Sequence, residues 1–339
     1  MKRIETSKAV GHVLCHDLTQ IIPGQYKDAR FRKGHVVTEE DIPVLLSMGK
    51  EHLYVWEMTP GMVHENDAAE RLAALCRGEG MIPSEVKEGK IELTAAYDGL
   101  FRVDERRLND VNSVEEIMVA TRHGNTPVRR GDKLCGTRVI PLVIAEETLR
   151  AAEAAAGGTP LLELLPYKLK RAAVVTTGSE VKKGLIEDRF TPVVVEKLRA
   201  YGIETVAQVN SGDGVDQVAG AIAEMRSLDI DLLLCTGGMS VDPDDNTPGA
   251  IRASGARIVT YGAPVLPGAM FLLGYYDDGL PVMGLPGCVM YAGATVFDLI
   301  LPRVAAGVSV TRADIVALGN GGLCLGCKPC RWPNCPFGK

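Results

Sequence analysis

The stretch Ile230-Asp231-Leu232-Leu233-Leu234-Cys235-Thr236-Gly237-Gly238-Met239-Ser240-Val241-Asp242 decides the fold. Its first six residues form a largely apolar run of strand length that stops at a double glycine. A strand apolar on both faces belongs inside a parallel sheet covered on both sides. The flanking sequence keeps this pattern. Upstream, 172–176 reads as a short buried strand, and 191–201 as a helix with Val194, Val195 and Leu198 on one face, stopped by Gly202. Then 203–209 reads as a strand and 213–228 as a helix, with Val215, Val218, Ile222 and Met225 on one face and Asp213 as the expected N-cap. Downstream, Arg257–Tyr261 and 282–285 are strands and 289–305 is a helix. Such alternation predicts an α/β domain of three layers, α/β/α, around a mostly parallel sheet.

The rest of the chain has a different texture. From 1 to about 58 the pattern is one of short β-like runs around Lys27, Arg30, Arg32 and Lys33, which reads as a small β-rich unit. A mixed α/β region follows over 59–168, with an alanine-rich helix at Glu146–Ala156 capped by Gly157 and Gly158. The α/β domain is assigned to 169–310 and a cysteine-rich tail to 311–339. The chain has 339 residues, with 37 Lys and Arg against 43 Asp and Glu, a net charge of −6 that leaves no global basic field for a nucleic-acid backbone. The start, Met1-Lys2-Arg3-Ile4-Glu5-Thr6, leads into no apolar segment, so a cytoplasmic protein without disulfides is expected. The uncharged stretches 258–276 and 280–297 approach membrane-span length, yet Pro264, Pro267 and Gly268 break the first and Pro286, Gly287 and Gly293 the second. No membrane span is expected.

Three strands of the α/β domain end in glycine-bearing turns: Thr176-Thr177-Gly178-Ser179-Glu180, Thr236-Gly237-Gly238-Met239-Ser240 and Leu285-Pro286-Gly287-Cys288. In open parallel sheets, ligands bind beyond the carboxyl ends of the strands. Glycine lets backbone N–H groups approach a phosphate, and Thr177, Ser179 and Ser240 add hydroxyl donors, so a phosphate-bearing ligand is expected. Asp242, Asp244 and Asp245 follow directly, and carboxylates beside an anion site suit a bridging Mg²⁺. Neither a Walker-type lysine motif nor a complete Gly-x-Gly-x-x-Gly accompanies the turns. All six histidines precede residue 124, which excludes a Ser-His or Cys-His pair within the domain. Cys288 follows Pro286-Gly287 at an expected helix start, where the dipole would lower its pKa; packing is the alternative. In the tail, Cys324, Cys327, Cys330 and Cys335 could hold an iron–sulfur cluster or Zn²⁺, or remain free thiols on a flexible segment.

Taken in order, Thr176-Thr177-Gly178-Ser179-Glu180, the acidic segment from Gly184 to Asp188, Thr236-Gly237-Gly238-Met239-Ser240-Val241 with Asp245, Pro267-Gly268, and Leu285-Pro286-Gly287 resemble the molybdopterin-binding domain of molybdopterin molybdotransferases, the MoeA and gephyrin type. The resemblance covers about 170–305. It implies the three-layer fold and a place in molybdenum cofactor biosynthesis, as a binder of molybdopterin or molybdenum cofactor or as a Mg²⁺-dependent transferase inserting molybdate into adenylylated molybdopterin. It also implies that Thr177, Gly178, Ser179, Glu180, Gly237, Gly238, Met239, Ser240, Pro267, Gly268, Pro286, Gly287 and Cys288 contact the ligand, that Asp188 and Asp245 hold Mg²⁺ in catalysis, and that the chain dimerises. The chain departs from the family pattern at Ala269-Met270, where a lysine and proline are usual, and at Cys288, where asparagine is usual. Those departures favour ligand binding over catalysis, and a non-catalytic carrier serving a molybdoenzyme, or a metal- or redox-sensing protein built on the tail, are the alternatives.

Overall fold

The structure is a computed structural model that describes residues 2–22, 26–55, 60–179, 185, 187–243 and 245–339. The chain forms two compact units.

The first unit comprises Met1–Ala96, Val103–Arg122 and Arg130–Glu163. Near its start, Lys2–Glu5 pairs antiparallel with His52–Val55, and Leu18–Ile22 pairs with Tyr26–Phe31. These ribbons and the helix Asp41–Ser47 share a small core of Leu14, Leu18, Phe31, Leu45 and Leu53. A four-stranded antiparallel sheet, in the order Met81–Pro83, Lys90–Ala95, Lys133–Val139, Ile117–Thr121, carries the helix Glu65–Cys76 against it. The helix Glu146–Ala156 ends at Gly157 in the left-handed conformation, φ 70°, where glycine avoids the Cβ clash.

The second unit comprises Tyr97–Arg102, His123–Arg129 and Leu164–Lys339. Its centre is a six-stranded sheet built from β1 (Arg171–Thr177), β2 (Glu204–Ser211), β3 (Leu232–Thr236), β4 (Arg257–Tyr261), β5 (Leu272–Tyr275) and β6 (Pro281–Leu285), in the order β2-β1-β3-β6-β5-β4. The β2-β1, β1-β3 and β3-β6 pairs are parallel. The β6-β5 and β5-β4 pairs are antiparallel. Helices α1 (Phe190–Arg199), α2 (Val215–Arg226), α3 (Thr247–Ala253), α4 (Val296–Ala305) and α5 (Arg312–Ala317) complete the domain.

Period-two alternation sorts the strand residues between two cores. Ala172, Val174, Leu232, Leu234, Met283 and Leu285 pack with α1 and α4 on one face. Ala173, Val175, Leu233, Cys235 and Val282 pack with α2 and α3 on the other. The domain is thus the three-layer α/β/α arrangement implied by the sequence, with a mostly parallel sheet. All ten residues of α4 are buried, including Asp298 and Arg303. Burial of these charges is offset by pairing, Asp298 with Lys197 at 2.5 Å and Arg303 with Asp314 at 2.5 Å.

Three local readings are corrected. Helix α4 does not begin at Val289: a short 3-10 turn at Gly287–Met290 comes first, and α4 starts only where Thr295 and Asp298 form a reciprocal capping box. Strand β5, antiparallel to both β6 and β4 between them, was not named by the sequence reading. The N-cap of α2 is Gly214 and not Asp213, whose side chain is used elsewhere. Among the described residues no helix is long and apolar enough to cross a membrane.

The tail packs against the domain. The Cys324 N–H donates to the Leu266 carbonyl at 2.8 Å, the Gly338 N–H reaches the Gly321 carbonyl at 2.9 Å, and Phe337, 3% exposed, enters the α4 core.

Candidate functional site

The chain runs from β1 outward to β2, then returns to place β3 on the other side of β1, so the topological switch lies between the carboxyl ends of β1 and β3. A cavity of about 540 Å³ opens there. Thr176 and Thr177 from β1, Thr236 and Gly237 from β3, Asp188, Arg189 and Phe190 at the start of α1, and Met290 line it. This volume lies within the roughly 300–1,000 Å³ of small-molecule sites.

Two glycines shape its wall. Gly237 has φ +84° and Gly238 φ +56°, in the left-handed region that disfavours other residues. A Cβ on Gly237 would sit 2.4 Å from the Thr177 carbonyl oxygen, and one on Gly238 would sit 2.7 Å from Thr247 Oγ1. The turn is therefore pressed against β1 and α3 and admits no side chain. Threonine hydroxyls hold it there. Thr177 Oγ1 donates to the Thr236 carbonyl at 3.2 Å, Thr247 Oγ1 donates to the Gly237 carbonyl at 2.8 Å, and the two hydroxyls lie 3.2 Å apart.

Thr236 is the exception among these groups. Its side chain is fully buried and its Oγ1 has no hydrogen-bond partner among the described residues. A buried hydroxyl left without a partner costs about 1–3 kcal/mol, so this one is a donor in search of an acceptor.

The first turn is fixed from outside. The Ser179 N–H donates to Asp213 Oδ2 at 2.9 Å, and Asn246 Nδ2 donates to the Asp213 carbonyl at 3.0 Å. Gly178, at φ +140°, makes that bend. Glu180 and Gly184 lie outside the described residues, as does Asp244.

Expected site residues divide on inspection. Thr177 and Gly237 line the cavity, with Gly238 directly behind. Met239 is buried, packing on Gly284, and is a core residue. Ser240 is exposed, and its carbonyl and that of Met239 accept from the Tyr261 hydroxyl at 3.2 and 3.1 Å. Pro267 and Gly268 seat α4: the Pro267 carbonyl accepts the Val296 N–H at 3.2 Å, and a Cβ on Gly268 would lie 2.6 Å from Val296 Cγ1. Pro286, Gly287 and Cys288 open the 3-10 turn whose last residue, Met290, reaches the cavity, and no atom stands within 4 Å of a Cβ built on Gly287. Burial pushes the Cys288 thiol up, against the expected lowering, because desolvation outweighs backbone donors at so short a turn.

The two expected Mg²⁺ carboxylates each make hydrogen bonds close to their own turn. Asp188 lines the cavity, but its Oδ1 accepts the Phe190 and Thr191 N–H groups at 2.9 and 3.0 Å, and its Oδ2 accepts from Gln208 Nε2 at 3.1 Å. It caps α1. Asp245 closes its own turn with Asp242, the Asp242 N–H lying 3.3 Å from Asp245 Oδ2. Among the described residues no three His, Cys, Asp or Glu side chains gather closely enough to hold a metal ion. The tail thiols follow suit. Cys324 and Cys335 pack partly buried against the α4 core, Cys327 and Cys330 are exposed, and Cys330 covers Gly293.

Thr236, Thr247, Asp213 and Asn246 were absent from the expected site. Thr236 carries a signal, a hydroxyl closing an otherwise apolar strand. The other three reach the site from α3 and the turn before α2, and no local pattern marks them.

Residues 173–306 match a family model described as "Probable molybdopterin binding domain", and residues 3–57 match one described only as a domain of unknown function. The chain is 27% identical over 206 residues to a molybdopterin molybdenumtransferase from Synechococcus elongatus, covering 57% of this chain and 49% of that protein. It is 36% identical over 89 residues to a CinA-like protein from Desulfosudis oleivorans, covering 26% of this chain and 21% of the relative. The chain thus spans half or less of these curated relatives. A solved molybdopterin biosynthesis enzyme MoaB from Thermus thermophilus aligns with 41% of this chain and 98% of its own, at TM-score 0.35 and 20% identity. Over residues 173–306, the chain is thus similar to the molybdopterin-binding domain family.

Proposed function

We propose that the switch-point cavity binds molybdopterin or the molybdenum cofactor, and that the chain acts in molybdenum cofactor biosynthesis. The observation that carries this reading is Thr236, a fully buried hydroxyl without a partner in the wall of a cavity, in a domain of the molybdopterin-binding family. A phosphate oxygen or a pterin carbonyl would accept its proton. Gly237 keeps the adjacent wall bare so that the ligand can approach backbone. Phe190 supplies an apolar surface for the pterin ring, and Arg189 a cation for the phosphate.

Between insertion and carriage, the arrangement of carboxylates favours carriage. Insertion of molybdate into adenylylated molybdopterin would call on Asp188 and Asp245 as a Mg²⁺ pair, yet Asp188 is engaged by three N–H donors and Asp245 lies in a separate turn. We therefore favour a protein that holds the cofactor and passes it to a molybdoenzyme. Calorimetry with molybdopterin, with and without Mg²⁺, tests binding, and absence of heat in both conditions refutes it. Gly237→Ala is expected to abolish binding. Molybdate-dependent turnover of adenylylated molybdopterin would identify a transferase instead.

A further inference from the structure

At the opposite end of the six-stranded sheet, where β4 and β6 begin and β5 ends, a second cavity of about 690 Å³ opens. It shares no lining residue with the switch-point cavity. Val259, Pro281 and Val304 give it an apolar floor.

The polar groups that face it are mainly unspent donors. The guanidinium of Arg257, exposed at the head of β4, has no hydrogen-bond or ion-pair partner among the described residues. Arg312 lines the cavity but commits Nη1 to Thr260 Oγ1 and to the Gly262 carbonyl at 3.2 Å, toward the other end of β4. Tyr275 accepts the Val310 N–H on its phenol oxygen at 3.0 Å, which leaves its own proton available. Burial raises the pKa of that phenol, so it stays a donor at neutral pH. Among the described lining residues Asp277, on an exposed turn, is the single carboxylate.

We propose that this cavity is a second binding site, for a small organic anion whose acidic group is held by Arg257 and the Tyr275 hydroxyl, neighbours across the β4-β5 pair, while an apolar or aromatic body lies on Val259, Pro281 and Val304. Guanidinium forks match the paired oxygens of carboxylate and phosphate, and such charge-assisted bonds are about twice as strong as neutral ones. Asp277 sets an upper limit on ligand charge, because a dense polyanion would meet its carboxylate. The floor demands more than an acidic head, which separates this site from a simple anion site.

Phenylacetate, phenyl phosphate and inorganic phosphate, titrated into the full chain by saturation-transfer NMR and calorimetry, test the proposal. Phenylacetate or phenyl phosphate should bind at least tenfold more tightly than inorganic phosphate, and the tighter of the two identifies the acidic group. Arg257→Ala should weaken that binding at least tenfold, Tyr275→Phe several-fold, and Thr236→Val should leave it unchanged. Binding of neither aromatic probe, binding indifferent to Arg257→Ala, or inorganic phosphate binding as tightly as the aromatic acids would overturn it. Circular dichroism of Arg257→Ala confirms that the exposed substitution leaves the fold intact.

Discussion

Replacing Thr236 by valine should make the ligand-free protein more stable and the ligand-binding protein weaker. Thr236 is fully buried at the end of β3, and its Oγ1 has no partner among the described residues. Removing a buried unpaired hydroxyl recovers about 1–3 kcal/mol of desolvation cost. Thr236→Val exchanges that hydroxyl for a methyl of nearly the same size, on a strand where valine is a favoured residue. The Thr236 carbonyl still accepts from Thr177, so the turn keeps its anchor. A net gain of about 1 kcal/mol is expected at the lower end of that range, which for a domain of this size raises the melting temperature by roughly 2–4 °C. In the complex the same substitution removes one hydrogen bond to a charged acceptor, worth about 1.5–3 kcal/mol, so molybdopterin should bind at least tenfold more weakly. Urea and thermal denaturation of the free protein, with calorimetry for the ligand, measure the two arms separately. A variant that is less stable than the parent and binds molybdopterin equally well would refute the reasoning, since the hydroxyl would then have a partner within the fold and none in the ligand.

Two further outcomes follow from packing and charge. Phe337→Ala should cost about 3 kcal/mol in urea denaturation and expose the last residues to proteolysis, because the ring is 3% exposed in the α4 core; a loss below about 1 kcal/mol would mean that the tail contributes little to that core. For Asp314, burial pushes the carboxyl up but hydrogen bonds from Thr311 and Arg303 outweigh it, bringing the pKa from 3.8 to about 2. A carboxyl depressed in the folded state stabilises fully above its unfolded value near 3.8, and this contribution is lost as pH falls through about 2. Acid denaturation of Asp314→Asn should lack that component between pH 4 and 2, and an unchanged profile would assign the acid limb to other groups.

The second unit was the more legible half of the chain. Ala172–Val175 and Leu232–Cys235 are apolar at every position, as strands buried on both faces must be, and the helices between them show one apolar stripe each. Strand β5 escaped because Gly274 weakens its strand pattern, and pairing with β4 and β6 on both sides makes it a strand. The start of α4 was misplaced for a related reason. Val289 and Met290 fit the helical spacing, but the capping box at Thr295 sets the first turn, and its energy outweighs the spacing. Cys288 shows the same limit in its chemistry. Position at a helix start predicts a lowered thiol pKa, whereas burial, which no local pattern reports, raises it.

By itself, the amino-acid sequence determined that the second half is a doubly covered parallel sheet and that glycines at the ends of β1 and β3 bring bare backbone to one place. It did so because burial on both faces and left-handed backbone each demand particular residue types at particular positions. Tertiary structure alone decided what those glycines press against, namely Thr177 and Thr247, and that Asp213 holds the Ser179 turn. It alone brought the Gln208 amide to Asp188. Hydrogen bonds between residues tens of positions apart depend on where strands and helices meet, and that meeting is a property of the packed sheet.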